Sequence, residues 1–470
     1  MNKQKKVYRI LISLNNGWTI RNWIYTGILD KLEKRFEIML LTPVKDNAKF
    51  YALLSKRGMN AKVSHLYILK THPVIKTIRV IKDNLFNGIN RVETQKIMKL
   101  EKQRSPFEKG VYIIILILSK VIWARNLIPL LEQLENYLNR KKIYKDILAN
   151  FQPDIFITTH PFGETERNII IAAHREKIPI LASILSWDNV SNKGMLPLFL
   201  DKIIVWNHIQ KNRILSYHPQ YNSKHIAISG ITHFDIYRSQ EASNFNRQNY
   251  LESIKIDPEF KLLLYCTGPR SLFPKEPEIV DILIKNMEKG RIPDNTYLLV
   301  RCHPHDYFDR YAKFLIHERV KIFGSSLDKT SHDTFTWIPP EDEMHGLMAM
   351  LRASALCINI ASTTSLDAAA CGLPIINVVF DGYEDEKYSN SARRFYDFTH
   401  YQDVVKTGAA KMVSNEQELI HWINRYLEEP WLDQEKREEL ISEQCWKLDG
   451  ESSERVAEVV SNFVNENTNK

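Results

Sequence analysis

The chain has few cysteines and no long apolar run, and it has none of the best-known nucleotide and metal signatures. Only five cysteines occur in 470 residues: Cys266, Cys302, Cys357, Cys371 and Cys445. None forms a CxxC pair and most stand among apolar neighbours, so buried free thiols in a reducing compartment are expected rather than disulfides or a thiolate metal site. The most apolar segment, Val111–Leu118, is followed by Lys120 and Arg125. It falls short of the ~20 apolar residues that a spanning helix needs. A core helix is expected there, with an interfacial helix as the alternative because the flanks are basic. The start, MNKQKKVYRILISL, is basic but has a short apolar run and no small-residue cleavage site, so no secretory leader is expected. No GxGxxG follows the first strand and no Walker A sequence is present, which argues against a dinucleotide fold and a P-loop. DxD and HExxH are absent and the histidines are scattered, so neither a metal site nor a cofactor is expected. There is no internal repeat and no low-complexity tract.

What the chain does have is length and an uneven charge. At 470 residues it is too long for one ordinary core, and two or three domains are expected. The net charge of +8 conceals a division: residues 1–150 carry 29 Lys+Arg against 11 Asp+Glu, and the rest of the chain is acidic on balance. A basic first part suggests an acidic partner, such as an anionic membrane, a lipid-linked phosphate or an acidic polysaccharide; the bland alternative is a solvated basic surface. Nucleic acid is disfavoured, since no binding motif accompanies the charge.

Strand and helix signals alternate along the chain. Apolar runs predict strands at Val7–Leu14, Phe36–Leu41, Asp154–Thr159, Ile180–Ser186, Lys202–Trp206 and Ile226–Ser229. Residues 70–150 are basic and helical in period, and read as an insertion on this frame. After a polar stretch from Arg238 to Asp257 the pattern restarts, with strands at Lys261–Cys266, Thr296–Arg301, Val320–Phe323, Leu356–Ile360 and Ile375–Phe380, and helices at Pro277–Lys289 and Glu343–Arg352. Strands alternating with helices imply parallel sheets in two doubly wound domains, with ligands at the carboxyl ends of the strands.

Ser354–Asp381 is the most telling stretch. A buried strand ends at Ala361-Ser362-Thr363-Thr364-Ser365, an alanine-rich helix follows from Leu366, Gly372 ends it, and Pro374 opens the next strand. Hydroxyls and backbone N–H groups at such a turn stabilise an anion, so a phosphate is expected there. Leu299–Asp306 is a strand running into His303-Pro304. A histidine at a strand end can donate to a phosphate oxygen and help neutralise a departing nucleotide; alternatively it is satisfied by backbone groups.

In its His303-Pro304, its later Ser362-Thr363 and its tail Asp449-Gly450-Glu451-Ser452-Ser453-Glu454-Arg455, the chain resembles GT-B glycosyltransferases of bacterial surface-polysaccharide assembly. The resemblance is to the group holding CDP-glycerol glycerophosphotransferases, capsule Kdo transferases and polysialyltransferases. It covers roughly residues 260–465; before 235 it is architectural only. The usual Lys-Pro-His-Pro is Arg-Cys-His-Pro here, which leaves the donor open. The resemblance implies an α/β fold of two Rossmann-like domains facing a cleft. Residues 1–237 would bind the acceptor, 258–440 the nucleotide-activated donor, and 441–470 would form a C-terminal helix. It further implies donor contacts from His303, Ser362, Thr363, Thr364 and Ser365, and from Asp367 near a ribose, where the alternative is a carboxylate stabilising a helix start. Backbone groups near Trp337-Ile338-Pro339 would meet the base. Arg270, after the first strand of the second half, could pair with the diphosphate bidentately. Arg393, Arg394 and His400 form a further polar cluster, open between surface and site roles.

The first half should supply a general base and hold the acceptor, a growing glycan or lipid-linked molecule. By residue type and placement the candidates are His160, Glu164 and Asp188. Asp188 is slightly favoured because Trp187 beside it could stack on a sugar; the alternative is a carboxylate capping a turn. Asn15, Asn16 and Gly17 follow the first strand, where glycine permits close approach of a ligand. The expected activity is metal-independent transfer of a sugar or polyol-phosphate from a nucleotide donor, with inversion, at the cytoplasmic membrane face. Two alternatives remain open: a UDP-N-acetylhexosamine 2-epimerase on the same frame, and a non-catalytic subunit of glycan assembly.

Overall fold

The computed structural model describes residues 7–101, 124–139, 142–324 and 335–468; the apolar segment Val111–Leu118 lies outside them. The chain divides into two compact units. The first comprises Met1–His233, Asp333–Pro339 and Glu451–Lys470, and the second Phe234–His332 and Pro340–Gly450.

The first unit holds seven parallel strands: β1 (Arg9–Ser13), β2 (Glu37–Thr42), β3 (Lys62–His65), β4 (Ile155–Thr158), β5 (Ile180–Ser183), β6 (Lys202–Val205) and β7 (Ile226–Ile228). Their order is β3-β2-β1-β4-β5-β6-β7. Strands covered on both faces must be apolar throughout, and Ile10, Leu11 and Ile12 of β1 are fully buried. Ile10 and Ile12 pack on one face with Val456, Val460, Phe463 and Val464 of the final helix, Ser452–Thr468. Leu11 packs on the other face with Ile169 and Ile170 of the helix Glu164–Arg175. The last helix is thus part of the first unit's core, and Arg455 Nε donates to Ser229 O at 2.7 Å to hold it there.

The basic segment is helical where described: Pro73–Asn90, Glu93–Glu101, Ala124–Leu138 and Lys142–Phe151. A buried ion cluster fastens it to the helix Glu164–Arg175. Lys82 pairs with Glu132 and Glu135, Arg79 Nε lies 2.6 Å from Glu135 Oε1, and Arg167 Nη2 lies 3.2 Å from Glu132 Oε2. Burial alone would raise the Glu135 carboxyl, yet Arg167, Lys82 and Arg79 together hold it down to about 2. Removing one partner of such a cluster leaves a bare buried charge and costs about 3–5 kcal/mol.

The second unit holds six parallel strands: β8 (Lys261–Cys266), β9 (Thr296–Arg301), β10 (Val320–Phe323), β11 (Ser354–Asn359), β12 (Ile375–Val378) and β13 (Ala410–Val413), in the order β10-β9-β8-β11-β12-β13. Of the thirteen strands among the described residues, two were not expected from sequence, β3 and β13. Both are sheet edges, where one side needs no partner and the apolar pattern is diluted by lysine, serine and histidine. Gly372 (φ +76°) closes the helix Thr364–Ala370, as expected, because L residues rarely take that conformation.

Each sheet reverses its strand order once, between β1 and β4 in the first unit and between β8 and β11 in the second. At such a switch point the two following connections leave in opposite directions and open a crevice at the carboxyl ends.

Candidate functional site

In the second unit the register sets Asn359, Cys266 and Arg301 side by side at the ends of β11, β8 and β9. Neighbouring strands lie about 4.8 Å apart, so the three following loops begin within about 10 Å of one another. Thr267 Oγ1 accepts from His303 N at 2.8 Å, and Arg270 N donates to His305 O at 3.2 Å. The Arg270 guanidinium sits 5.0 Å from the centre of the Tyr307 ring. These contacts join the loop that carries Arg270 to the loop that carries His303. Glu276 braces the first of them from below: its two carboxyl oxygens accept from Gly268 N at 3.0 and 2.9 Å, and one also accepts from Tyr265 OH at 3.1 Å. Burial pushes the Glu276 carboxyl up to about 8, against the pull of the Gly268 N–H.

His303 Nδ1 accepts from His305 N–H at 2.9 Å. The neutral ring therefore carries its proton on Nε2, which is left to donate. Burial first, then His305 and Arg301, hold the imidazole down to about 3. His303 is thus a neutral hydrogen-bond donor rather than the charge-neutralising group expected from sequence; positive charge at this end is carried by Arg270 and by Arg301, which lies 3.6 Å from Glu343.

Ser362, Thr363 and Thr364 are half-buried at the end of β11. Ser362 Oγ accepts from Thr364 N at 3.2 Å and lies 3.1 Å from Thr364 Oγ1. Ala361 holds an unusual φ of +37°, with its N–H donated to Tyr396 OH at 3.2 Å. Ser365 is fully buried and faces away from solvent. It donates to Asn359 Oδ1 at 3.1 Å, accepts from Asn377 Nδ2 at 3.1 Å and lies 2.9 Å from Tyr401 OH. Ser365 therefore supports the turn from beneath, which corrects its assignment as a ligand contact. Asp367 is also buried, and it accepts from Tyr237 OH at 2.6 Å; this bond anchors the segment Thr232–Arg238 and corrects the ribose assignment. Arg394 is buried and donates to Ser391 O at 2.5 Å, while Arg393 bonds Ser391 Oγ at 3.1 Å; both shape a loop.

In the first unit the acceptor candidates resolve differently. Asn16 caps the helix Gly17–Ile20, accepting from Thr19 N at 3.1 Å. A Cβ on Gly17 would lie 2.5 Å from the Trp337 ring and 2.7 Å from Trp337 O. The close approach that Gly17 permits is made by Trp337, not by a ligand. Residues 335–339 belong to this unit, and Pro339 O accepts from Tyr25 OH at 2.5 Å; no strand ends at Trp337 among the described residues. Trp187 is buried, with little face left for a sugar. Both Asp188 carboxyl oxygens are engaged, one with Asn189 Nδ2 at 3.2 Å and the other with Asn192 Nδ2. Glu164 lies 3.3 Å from Arg79 Nη1 and is exposed.

His160 remains. Its Nδ1 lies 2.8 Å from where a Cβ on Gly163 would sit, and Asn15 Nδ2 lies 3.4 Å from the same point, so the two side chains meet over Gly163 at the ends of β4 and β1. Burial and then Lys193 hold the ring down to about 4, against its own backbone and Asp188. Below them Glu166, fully buried, accepts from Ser13 Oγ at 2.5 Å and from Thr158 Oγ1. Burial pushes its carboxyl up to about 7. Asn15 Oδ1, His160 Nδ1 and Glu166 Oε1 are buried atoms with no hydrogen-bond partner among the described residues. Sequence reasoning singled out Asn15 only as part of the turn Asn15-Asn16-Gly17, and it missed Glu166. A signal did exist: Ser13 and Thr158 end two adjacent apolar strands, and buried hydroxyls require a partner. Among the described residues no group of three His, Cys, Asp or Glu side chains could hold a metal ion.

Two doubly wound parallel sheets, with the last helix returning to the first, define the GT-B fold. Solved structures share it. The Staphylococcus aureus protein MnaA, solved with UDP, matches at 13% identity over 98% of this chain and 97% of its own, with a TM-score of 0.56. The UDP-GlcNAc 2-epimerase of Neisseria meningitidis, bound to UDP-GlcNAc, matches at 12% identity over 97% and 100%, with a TM-score of 0.54. A glycosyltransferase from Rickettsia africae matches at 11% identity over 98% and 99%, with a TM-score of 0.51. At such identities the likeness is one of fold. No protein-family model matches the sequence, and no curated protein sequence matches it.

Proposed function

We propose that this chain is a nucleotide-sugar enzyme, and specifically a metal-independent glycosyltransferase that moves a sugar, or a polyol-phosphate, from a nucleotide-activated donor to a surface glycan or lipid-linked acceptor. One observation carries the reading: the loops holding Arg270, His303 and Ser362–Thr364 follow three adjacent strand ends at a switch point, with His303 fixed as an Nε2–H donor. One cation, a neutral N–H and hydroxyls at a strand end suit a diphosphate. The solved relatives of this fold that hold UDP or UDP-GlcNAc lend support to a nucleotide ligand.

In this scheme the base takes the proton of an acceptor hydroxyl. With a sugar donor the oxygen attacks the anomeric carbon in line, the bond from that carbon to the phosphate oxygen breaks and the configuration at the carbon inverts; with a polyol-phosphate donor the oxygen attacks the distal phosphorus and the bond from it to the bridging oxygen of the diphosphate breaks. In either case the charge left on the nucleotide is met by Arg270, His303 Nε2–H and the Ser362 turn. We assign the base to His160, which is neutral with an unengaged Nδ1, in preference to Asp188, whose oxygens already hold two amides. Asn15 Oδ1 would accept from an acceptor hydroxyl.

Thermal denaturation with CMP, CDP, UDP and GDP tests the reading. One nucleotide should raise the melting temperature in the wild type and fail to do so in His303→Ala. If none does, the nucleotide reading falls. A shift with UDP alone would discard the Kdo, sialyl and glycerol analogies and leave the GT-B enzyme. Conversion of UDP-GlcNAc to its 2-epimer with no acceptor present, followed by NMR, would replace transfer by epimerisation.

A further inference from the structure

The helix Glu164–Arg175 starts beside His160, and at its other end the first unit has an open cavity of about 600 Å³. The walls are the last turns of the helix Ala124–Leu138, the start of the helix Lys142–Phe151 and the end of the helix Glu164–Arg175. A helix of 12 residues is roughly 17 Å long, so the cavity lies about that far from the strand ends where His160 sits. Its volume falls within the ~300–1,000 Å³ usual for a ligand site.

The lining mixes hydrogen-bond donors and acceptors around one aromatic ring. Gln133, Asn136 and Tyr137 stand at positions i, i+3 and i+4 of one helix face, and Tyr137 is 65% exposed. Lys142 and Lys145, one turn apart on the next helix, and Glu176 complete the rim. Asp146 follows Lys145 and is exposed, so the surroundings carry both signs of charge. Arg175 pins the wall, its Nε donating to Asn136 Oδ1 at 3.1 Å and its Nη2 to Tyr137 O at 3.2 Å. Asn139, also in the lining, is 3% exposed and donates from Nδ2 to Asn168 Oδ1 at 2.8 Å. Its Oδ1 has no hydrogen-bond partner among the described residues. Turning both amides over exchanges their roles and still leaves one buried polar atom of Asn139 unmatched. Such an atom is costly until a partner meets it.

We propose that this cavity holds a saccharide, as a site separate from the switch point of the first sheet. A sugar hydroxyl both donates and accepts. It is matched by Lys142 and Lys145 as donors, by Glu176 as acceptor and by amides that do both, while the Tyr137 ring covers the apolar face of the sugar. A phosphate only accepts and would be set against Glu176. An apolar ligand would leave the amides, Asn139 among them, without partners. That the saccharide is a distant stretch of the acceptor chain rests on the transferase reading; the site itself does not.

Ligand-observed NMR of the full chain with chitotriose and with maltotriose tests it. At least one should bind saturably to the wild type, and roughly tenfold or more weakly to Gln133→Ala with Tyr137→Ala, which loses an aromatic contact and a hydrogen bond. Lys145→Ala, on the opposite wall, should weaken binding in the same direction, and Tyr137→Phe, which keeps the ring, should retain most of it. Stabilisation by a nucleotide should be the same in all these proteins. The two readings therefore fail separately: saccharide binding that the double variant loses upholds the site even where no nucleotide stabilises the chain. Three outcomes overturn the proposal. Neither saccharide binds; or both the double variant and Lys145→Ala bind as the wild type does, which places the sugar elsewhere; or inorganic phosphate at equal concentration displaces the saccharide, which makes the cavity an anion site.

Discussion

At the switch point of the second sheet, the buried groups that shape the loops are matched to one another. Glu276 takes Gly268 and Tyr265, and Asn359, Ser365, Asn377 and Tyr401 close a network beneath the Ser362 turn. At the switch point of the first sheet, Asn15, His160 and Glu166 each keep a buried polar atom with no partner among the described residues. A buried polar atom left unpaired costs about 1–3 kcal/mol. The second unit therefore has a finished cradle whose outward groups are an arginine, an N–H and hydroxyls, suited to an anion. The first unit has unsatisfied acceptors and an imidazole, suited to a ligand that brings hydrogen-bond donors. On the proposed reading the comparison separates nucleotide holding from acceptor chemistry, and the His160 and His303 variants should each move one more than the other.

Removing His160 should have the largest effect. His160→Ala is expected to lower turnover roughly 10²–10⁴-fold, the usual contribution of a general base, and to leave nucleotide affinity unchanged. Equal losses in both, measured by steady-state kinetics and calorimetry, would erase the distinction between the units.

The two buried glutamates come next, through pH. Each has its carboxyl raised in the folded protein, to about 7 for Glu166 and about 8 for Glu276, chiefly by burial. Their protonated forms favour folding. That stability is complete below the ordinary glutamate range and is lost as pH rises towards 7 and 8, on the order of a few kcal/mol for each group. His160 and His303 act in the opposite sense, because their lowered values give stability above the ordinary histidine range that is lost as pH falls towards 4 and 3. Glu166→Gln and Glu276→Gln should each flatten the fall of melting temperature between the ordinary glutamate range and pH 7 to 8. Slopes parallel to the wild type over that window would contradict these assignments.

His303→Ala should weaken nucleotide binding roughly 10–100-fold, the worth of a hydrogen bond to a charged group, while turnover at saturating nucleotide changes less than in His160→Ala. Smallest is Gly17→Ala, which touches neither ligand. Its methyl would meet the Trp337 ring, and overpacking of this kind costs about 1–3 kcal/mol in chemical denaturation. An unchanged midpoint would mean that Trp337 yields without cost.

Much of the second unit was legible in the sequence. Lys261–Cys266, Thr296–Arg301 and Val320–Phe323 form strands with the expected bounds, because strands buried on both faces must be apolar along their length. The order of the motifs along the chain also pointed to the end of the sheet where His303 and Ser362 lie. What escaped was the direction of individual polar side chains. Asp367 read as a ligand contact because its partner, Tyr237, is 130 residues away. Gly17 read as a ligand approach because Trp337 returns from a distant segment. Asp188 sits beside the asparagines that hold it, but residue type alone does not say which carboxylates are already occupied. Glu166 went unnoticed because a glutamate at a helix start looks like an ordinary cap until two strand-end hydroxyls are found on it.

The central claim is that the second unit's switch point holds the nucleotide through His303 as a neutral donor. Isothermal titration of the nucleotide that stabilises the wild type, into wild type and His303→Ala, tests it most directly. The account predicts saturable binding to the wild type that is roughly 10–100-fold weaker in the variant and does not follow histidine protonation between pH 6 and about 8. Equal affinity in the two proteins, or affinity that rises as pH falls through the ordinary histidine range and is lost with His303, would contradict it.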